Sequence, residues 1–301
     1  MRKRTLSGVM PAVTTPFNNE GGVNIDRLID RCTWLLQNGC DGINILGTTG
    51  EGLSLSIHQR LTVMHAIAQS DLPLSRLMVN TGATALEDAQ QLTKRAVELG
   101  YAGVLLLPPF YFKGLSEEGI INFVSCVMDH VDRHSCNLYL YHMPAYTGVP
   151  YTPEIALRLK DKYGGAIAGV KDSTGDLAVS DAFVARVPDF DVFPSAESSL
   201  DQAKTRGFAG CVSATVNVTA PLAGRFWRGE RGANEALVAA AEIRKAIQGV
   251  PLLAGVKWMV ARSTQDNEWN NMLPPIVPLS KAQVEQLAPV FEKFADDIKA
   301  A

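Results

Sequence analysis

The chain has 301 residues, of which 47% are apolar and 20% charged, and its formal net charge is -3. A nearly neutral, core-forming chain offers no broad cationic field to nucleic acid or to an anionic membrane, so a small molecule is the expected partner. Its five cysteines are scattered and never form a C-x-x-C pair, which points to a reduced, cytoplasmic setting.

In chain order, the opening MRKRTLSGVMPAVTTPF meets Pro11 before an apolar h-region forms, so it reads as the first strand and not as a signal peptide. No window reaches the ~18 uncharged apolar residues of a membrane span. Short runs rich in Val, Ile and Leu follow one another at 8–17, 42–47, 76–82, 103–109, 137–144, 166–172, 191–197 and 210–215. They are near-continuous and do not alternate, the pattern of parallel strands covered on both faces. Helical text lies between them. NIDRLIDRCTWLLQNG (24–39) starts at an Asn24 cap and stops at Gly39. ALEDAQQLTKRAVELG (85–100) puts Leu86, Ala89, Leu92, Ala96 and Leu99 on one face and stops at Gly100. Eight strands separated by helices predict a (β/α)8 TIM barrel over residues 1–220. Residues 221–301 read as a C-terminal helical extension packed on that barrel, with helical patterns at 232–247 and 281–300 around the proline-rich NMLPPIVPLS.

Active sites of such barrels lie at the C-terminal strand ends, and Lys171 closes the sixth run, AIAGVKD. A buried cation needs a reason. Burial disfavours the charged form of an amine, and the neutral amine can attack a ketone to form a Schiff base. The alternative is a lysine that reaches the surface or pairs with Asp172. In the fifth run Tyr139 and Tyr141 share one strand face while Leu140 and His142 take the other, so Tyr141 is either a proton carrier or a packed ring. The GTTGEG turn (47–52) presents Thr48, Thr49 and backbone amides that could hold a carboxylate, and no Gly-Lys-Ser/Thr follows to make it a P-loop. HVDRH places His130 and His134 four apart on an expected helix, without a third ligand for zinc. Cys211 reads as core, and Asp172, Asp176 and Asp181 read as solvated charges.

GTTGE, PPFYF, YHMPAYTG and GVKDSTGD stand in the order and approximate spacing of the dihydrodipicolinate synthase / N-acetylneuraminate lyase family, and the resemblance runs from GVMPAVTTPF to PPIVPLS. It implies a class I aldolase or lyase, generally homotetrameric, that works on a keto acid with an aldehyde or sugar-acid partner and needs no cofactor or metal. By resemblance Lys171 is the Schiff-base lysine and Tyr141 the proton shuttle. Thr48 and Thr49, with the Gly50 backbone, receive the keto-acid carboxylate. Tyr111 resembles the tyrosine lent across a subunit interface to a relay with Tyr141 and Thr48. Tyr146 stands where dihydrodipicolinate synthases carry an arginine for the second carboxylate, a bidentate cation that tyrosine cannot replace. Glu197 matches a sugar-hydroxyl-binding acid and Ser173 a threonine of similar use, whereas Ala214 and Ser195 replace the serine and glycine usual in neuraminate lyases. The combination predicts action on pyruvate or a 2-keto-3-deoxy sugar acid, by aldol cleavage, condensation or dehydration. Dihydrodipicolinate synthase or neuraminate lyase activity is the narrower alternative, and a catalytically silent keto-acid-binding barrel is the alternative from another class. A metal-dependent hydrolase on the same barrel would need histidine and carboxylate ligands that the strand ends lack.

Overall fold

The computed structural model describes residues 6–299. Each apolar run yields a short strand buried along its length: β1 (Gly8–Pro11), β2 (Ile43–Ile45), β3 (Leu77–Asn80), β4 (Gly103–Leu106), β5 (Leu138–His142), β6 (Ile167–Asp172), β7 (Asp191–Pro194) and β8 (Gly210–Ser213). β2 to β7 pair in sequence order, β1 pairs with β8, and every pairing is parallel. Two further contacts join the pieces into a ring. Ala12 bridges Asn44 between β1 and β2, and the Ala209 N–H donates to the Val192 carbonyl at 2.8 Å between β8 and β7. The result is the (β/α)8 barrel that the eight runs predict.

Strand alternation divides the core. Met10, Met78, Leu105, Tyr139, Tyr141, Phe193 and Val212 fill the barrel interior, while neighbours such as Val9, Val79, Leu140 and Val192 face the surrounding helices. β6 breaks the alternation once. Leu138 pairs with Ile167 but Tyr139 pairs with Gly169, so Ala168 is an extra residue and forms a β-bulge. Without that bulge Lys171 would share the outward face of Ile167; with it, Lys171 lies beside Tyr141 on the inner face. Gly169 is required here, because a Cβ would come within 2.1 Å of the Asp191 carbonyl oxygen.

The helices begin and end where their caps dictate. Asn24 accepts from the Arg27 N–H at the start of helix Ile25–Gln37, and Gly100 ends helix Leu86–Leu99 at φ 88°. Leu86 lies at that helix's exposed start, so the buried stripe is Ala89, Leu92, Thr93 and Ala96. The expected histidine pair on a helix is corrected: helix Glu117–Met128 ends before His130, and both His130 and His134 lie in the exposed turn that follows. Among the described residues no cluster of three or more His, Cys, Asp or Glu side chains could hold a metal. No described helix is long and apolar enough to cross a membrane.

The expected barrel limit at residue 220 falls inside helix Val216–Arg228, which follows β8 as the eighth barrel helix; the chain turns only at Gly229–Gly232. Helices Ala233–Gln248, Leu252–Thr264, Lys281–Lys293 and Ala295–Lys299 then build a second core with residues such as Ile243, Trp258, Met259, Leu287 and Phe291. The single helix expected over 281–300 is thus interrupted at Phe294.

Candidate active site

β5 and β6 run in register at their C-terminal ends, with Tyr141 opposite Lys171. Lys171 as a residue is only 4% exposed; its ammonium lies 4.3 Å from the centroid of the Tyr141 ring and among the described residues forms no ion pair. Asp172 does not serve it. That carboxylate turns to the outer face and accepts from the Thr174 N–H at 3.0 Å, the Thr174 hydroxyl at 2.9 Å and the Ser180 hydroxyl at 2.7 Å. His142 shares the outer face, where its Nδ1 accepts from the Tyr151 N–H at 3.1 Å. Burial lowers its pKa below the usual 6.5, against the opposing pull of Asp172.

The Tyr141 hydroxyl lies 3.0 Å from the Thr48 hydroxyl and 3.0 Å from the Met143 sulfur. Thr48 belongs to a tightly folded turn. Leu46 and Glu51 both take positive φ, 57° and 53°, the Glu51 N–H donates to the Thr48 carbonyl at 3.0 Å, and the Gly52 N–H to the Gly47 carbonyl at 3.1 Å. Only glycine fits at 52, since a Cβ there would lie 1.9 Å from the Leu46 carbonyl oxygen. Thr49 is buried, and the Gly50 carbonyl accepts from the Thr15 hydroxyl at 2.6 Å. Of the expected site residues, Lys171, Tyr141 and Thr48 therefore meet, with Thr49 and Gly50 in the same turn.

Tyr111 is not brought to them within the chain. It is 74% exposed on the loop after β4, edge-on to Phe112. Lys113 anchors that loop, donating to the Phe110 carbonyl and, at 2.6 Å, to the Thr147 carbonyl. Ser173 is half-buried, and its N–H donates to the His142 carbonyl at 2.8 Å.

A cavity of about 400 Å³ opens beside Thr48, between the strand ends and the extension. Leu107, Phe110, Met143, Leu252 and Ile276 make it largely apolar, and Tyr146, 65% exposed, stands on its rim. No Arg, Lys or His is among its lining residues.

Glu197, expected to meet a sugar hydroxyl, lies at the start of the turn after β7. Its side chain is fully buried and its oxygens are occupied: Thr215 and Thr219 donate to Oε1 at 2.6 and 3.0 Å, and Ser213 and Arg244 to Oε2 at 2.6 and 3.1 Å. It ties the turn after β7 to β8 and to helix Ala233–Gln248.

Two residues without an expected role stand next to the site. Glu51, directly after the threonine turn, and Lys257, in helix Leu252–Thr264, form an ion pair of 2.5 Å with neither side chain exposed. Burial lowers the Lys257 pKa to about 8, the neighbouring Glu51 carboxylate opposing the shift. The signal was present in LLAGVKWMVA, an apolar run interrupted by one lysine, as at Lys171. Cys211 is inert, its thiol pKa pushed well up by burial.

The Dihydrodipicolinate synthetase family model matches residues 5–293. An uncharacterised DapA-like lyase of Chloroflexus aurantiacus is 31% identical, with 95% of this chain and 96% of that protein covered. A 2-dehydro-3-deoxy-phosphogluconate/2-dehydro-3-deoxy-6-phosphogalactonate aldolase of Sulfurisphaera tokodaii is 28% identical over 69% of this chain and 68% of its own. The dihydrodipicolinate synthase structure from Agrobacterium tumefaciens superposes with a TM-score of 0.86 at 26% identity, covering 95% of this chain and 98% of that one. With the family model matched over nearly the whole chain and the Chloroflexus relative 31% identical over 95% of it, the protein belongs to the dihydrodipicolinate synthetase family.

Proposed function

We propose that Lys171 is the nucleophile through which this class I aldolase-type lyase captures the C2 carbonyl of pyruvate or of a 2-keto-3-deoxy sugar acid. The observation that carries the reading is the contact set at the ends of β5 and β6: a buried amine with no ion pair among the described residues lies over the Tyr141 ring, with the Tyr141 hydroxyl on Thr48.

The neutral amine adds to C2, the resulting alcohol leaves as water, and a protonated imine remains. Thr48, Thr49 and the Gly50 backbone hold the carboxylate, which fixes the carbonyl carbon before the amine. In cleavage, a base takes the proton of the C4 hydroxyl, the C3–C4 electron pair moves into the imine, and an aldehyde departs from the enamine. In condensation, the pyruvyl imine loses a C3 proton to become the enamine, C3 bonds to the carbonyl carbon of the incoming aldehyde, the aldehyde oxygen takes a proton and the imine is regenerated. Dehydration instead removes a C3 proton and expels the C4 hydroxyl as water. Tyr141, touching both the lysine and Thr48, carries the protons. Tyr111 completes this relay from a neighbouring subunit of a homotetramer, and the enzyme works in the cytoplasm. No step requires a metal or an organic cofactor.

The second substrate, or the aldehyde released, lies in the cavity beside Thr48. With tyrosine at 146 and no free cation in the walls, that partner is an uncharged aldehyde and not an acidic one. The occupied Glu197 carboxylate adds no hydroxyl recognition, so selection rests on the cavity walls and on Ser173.

The test is incubation with pyruvate and borohydride, followed by intact mass and peptide mapping. A reduced pyruvyl adduct on Lys171 is expected. A folded protein that gains no adduct would leave the silent keto-acid-binding barrel as the reading.

A further inference from the structure

We infer that the buried Glu51–Lys257 pair is a positioning device for the keto-acid carboxylate: it holds the Thr48–Gly50 turn in its binding conformation and makes the C-terminal extension part of the active site. The inference rests on the reading of that turn as the carboxylate site.

The pair joins segments far apart in the chain. Glu51 Oε1 meets the Lys257 ammonium at 2.5 Å, while Oε2 accepts from the Leu273 N–H at 2.8 Å. Lys257 also donates to the Asn271 carbonyl at 2.6 Å and lies 4.2 Å over the Phe17 ring. Both side chains are fully buried. Among the described residues both polar partners of the Glu51 side chain therefore come from the extension, at residues 257 and 273.

Such a pair is a poor device for stability alone, since desolvating two charges offsets much of their attraction and an apolar pair packs as well. What it adds is direction. Glu51 is held at φ 53°, a conformation unfavourable for a residue with a side chain, and persists there only if its surroundings impose it. In that conformation the Glu51 N–H closes the turn onto the Thr48 carbonyl at 3.0 Å, and the Thr48 hydroxyl stands 3.0 Å from Tyr141. Releasing Glu51 lets the turn relax and separates the hydroxyls from the amides that bind the carboxylate. Lys257 is not a second nucleophile: its ammonium is enclosed by Glu51, Asn271 and Phe17.

The experiment compares borohydride capture of pyruvate with capture of acetone, a ketone without a carboxylate. The variants are Glu51→Gln, Lys257→Met and the double Glu51→Gln/Lys257→Met, which removes both charges together and so leaves no uncompensated buried ion if a single variant fails to fold. Lys257→Arg keeps the charge. In the folded double variant the pyruvate concentration for half-maximal capture should rise about tenfold, the scale of one hydrogen bond to a charged group. Acetone capture should stay at the wild-type level, and Lys257→Arg should retain most of the preference for pyruvate. Unchanged half-saturation by pyruvate in the folded double variant overturns the positioning role, as does an equal loss for pyruvate and acetone. Absence of pyruvate capture by the folded wild-type protein would instead remove the Schiff-base reading, and the positioning role with it.

Discussion

Lys171 and Lys257 are both buried lysines set in apolar runs, and their surroundings differ in one respect. Both lie over an aromatic ring, but Lys257 also has a carboxylate at 2.5 Å and a carbonyl at 2.6 Å, whereas Lys171 has no ion pair among the described residues. The paired lysine has its ammonium occupied by fixed acceptors, so its electron pair is not offered to anything. The unpaired one sits at a strand end, over the ring of a phenol whose hydroxyl meets the threonine turn. Burial alone marks neither as catalytic; the partner set separates them.

The comparison breaks first at Lys171. Lys171→Ala should abolish both turnover and covalent capture of pyruvate while the protein stays folded, read by mass spectrometry and circular dichroism. Undiminished turnover would transfer the chemistry elsewhere. Next is Tyr141→Phe, which keeps the ring under the ammonium but removes the hydroxyl on Thr48. It should slow turnover by about 10²-fold, the scale of general acid–base catalysis, with the imine still trapped by borohydride. An unchanged rate would remove the shuttle role.

Tyr146→Arg tests the other end of the substrate. An arginine on the rim of the apolar cavity supplies the missing bidentate cation, so use of an acidic aldehyde such as aspartate semialdehyde should improve by about tenfold in kcat/KM. If the variant leaves acceptor preference where it was, the rim position does not select the aldehyde.

The number and order of strands were legible because parallel strands covered on both faces leave continuous apolar runs, and each of the eight appears where its run lies. The inward direction of Lys171 was not legible, since plain alternation from Ile167 turns it outward and the Ala168 bulge is visible only against the register of β5. The surroundings of Glu197 were hidden for a related reason: its partners come from positions 213, 215, 219 and 244, a set no local pattern announces. The histidine spacing misled because a separation of four means one helix face only where a helix continues, and this one stops at Met128. The loop bearing Tyr111 was placed correctly after β4, but its exposure within one chain gives no contact by which to read a relay.

The smallest effect sharpens the contrast from the side of Lys257. Its pKa is lowered to about 8 in the folded protein from an ordinary 10.5, because burial disfavours the charge more than Glu51 favours it. Between these values the unfolded chain binds more protons than the folded one, so this group makes stability rise with pH across that window. Below about pH 8 both states hold the proton and the full burial penalty applies. Lys257→Met removes the titration. The stability of the wild-type protein relative to this variant, measured by urea unfolding at a series of pH values, should therefore be lowest below about pH 8 and climb towards pH 10.5. A difference that stays flat would mean that the ammonium is as well solvated by Glu51 and Asn271 as by water. A difference that falls would mean that the ion pair outweighs the burial of Lys257, and that its amine is held charged more firmly than in the unfolded chain.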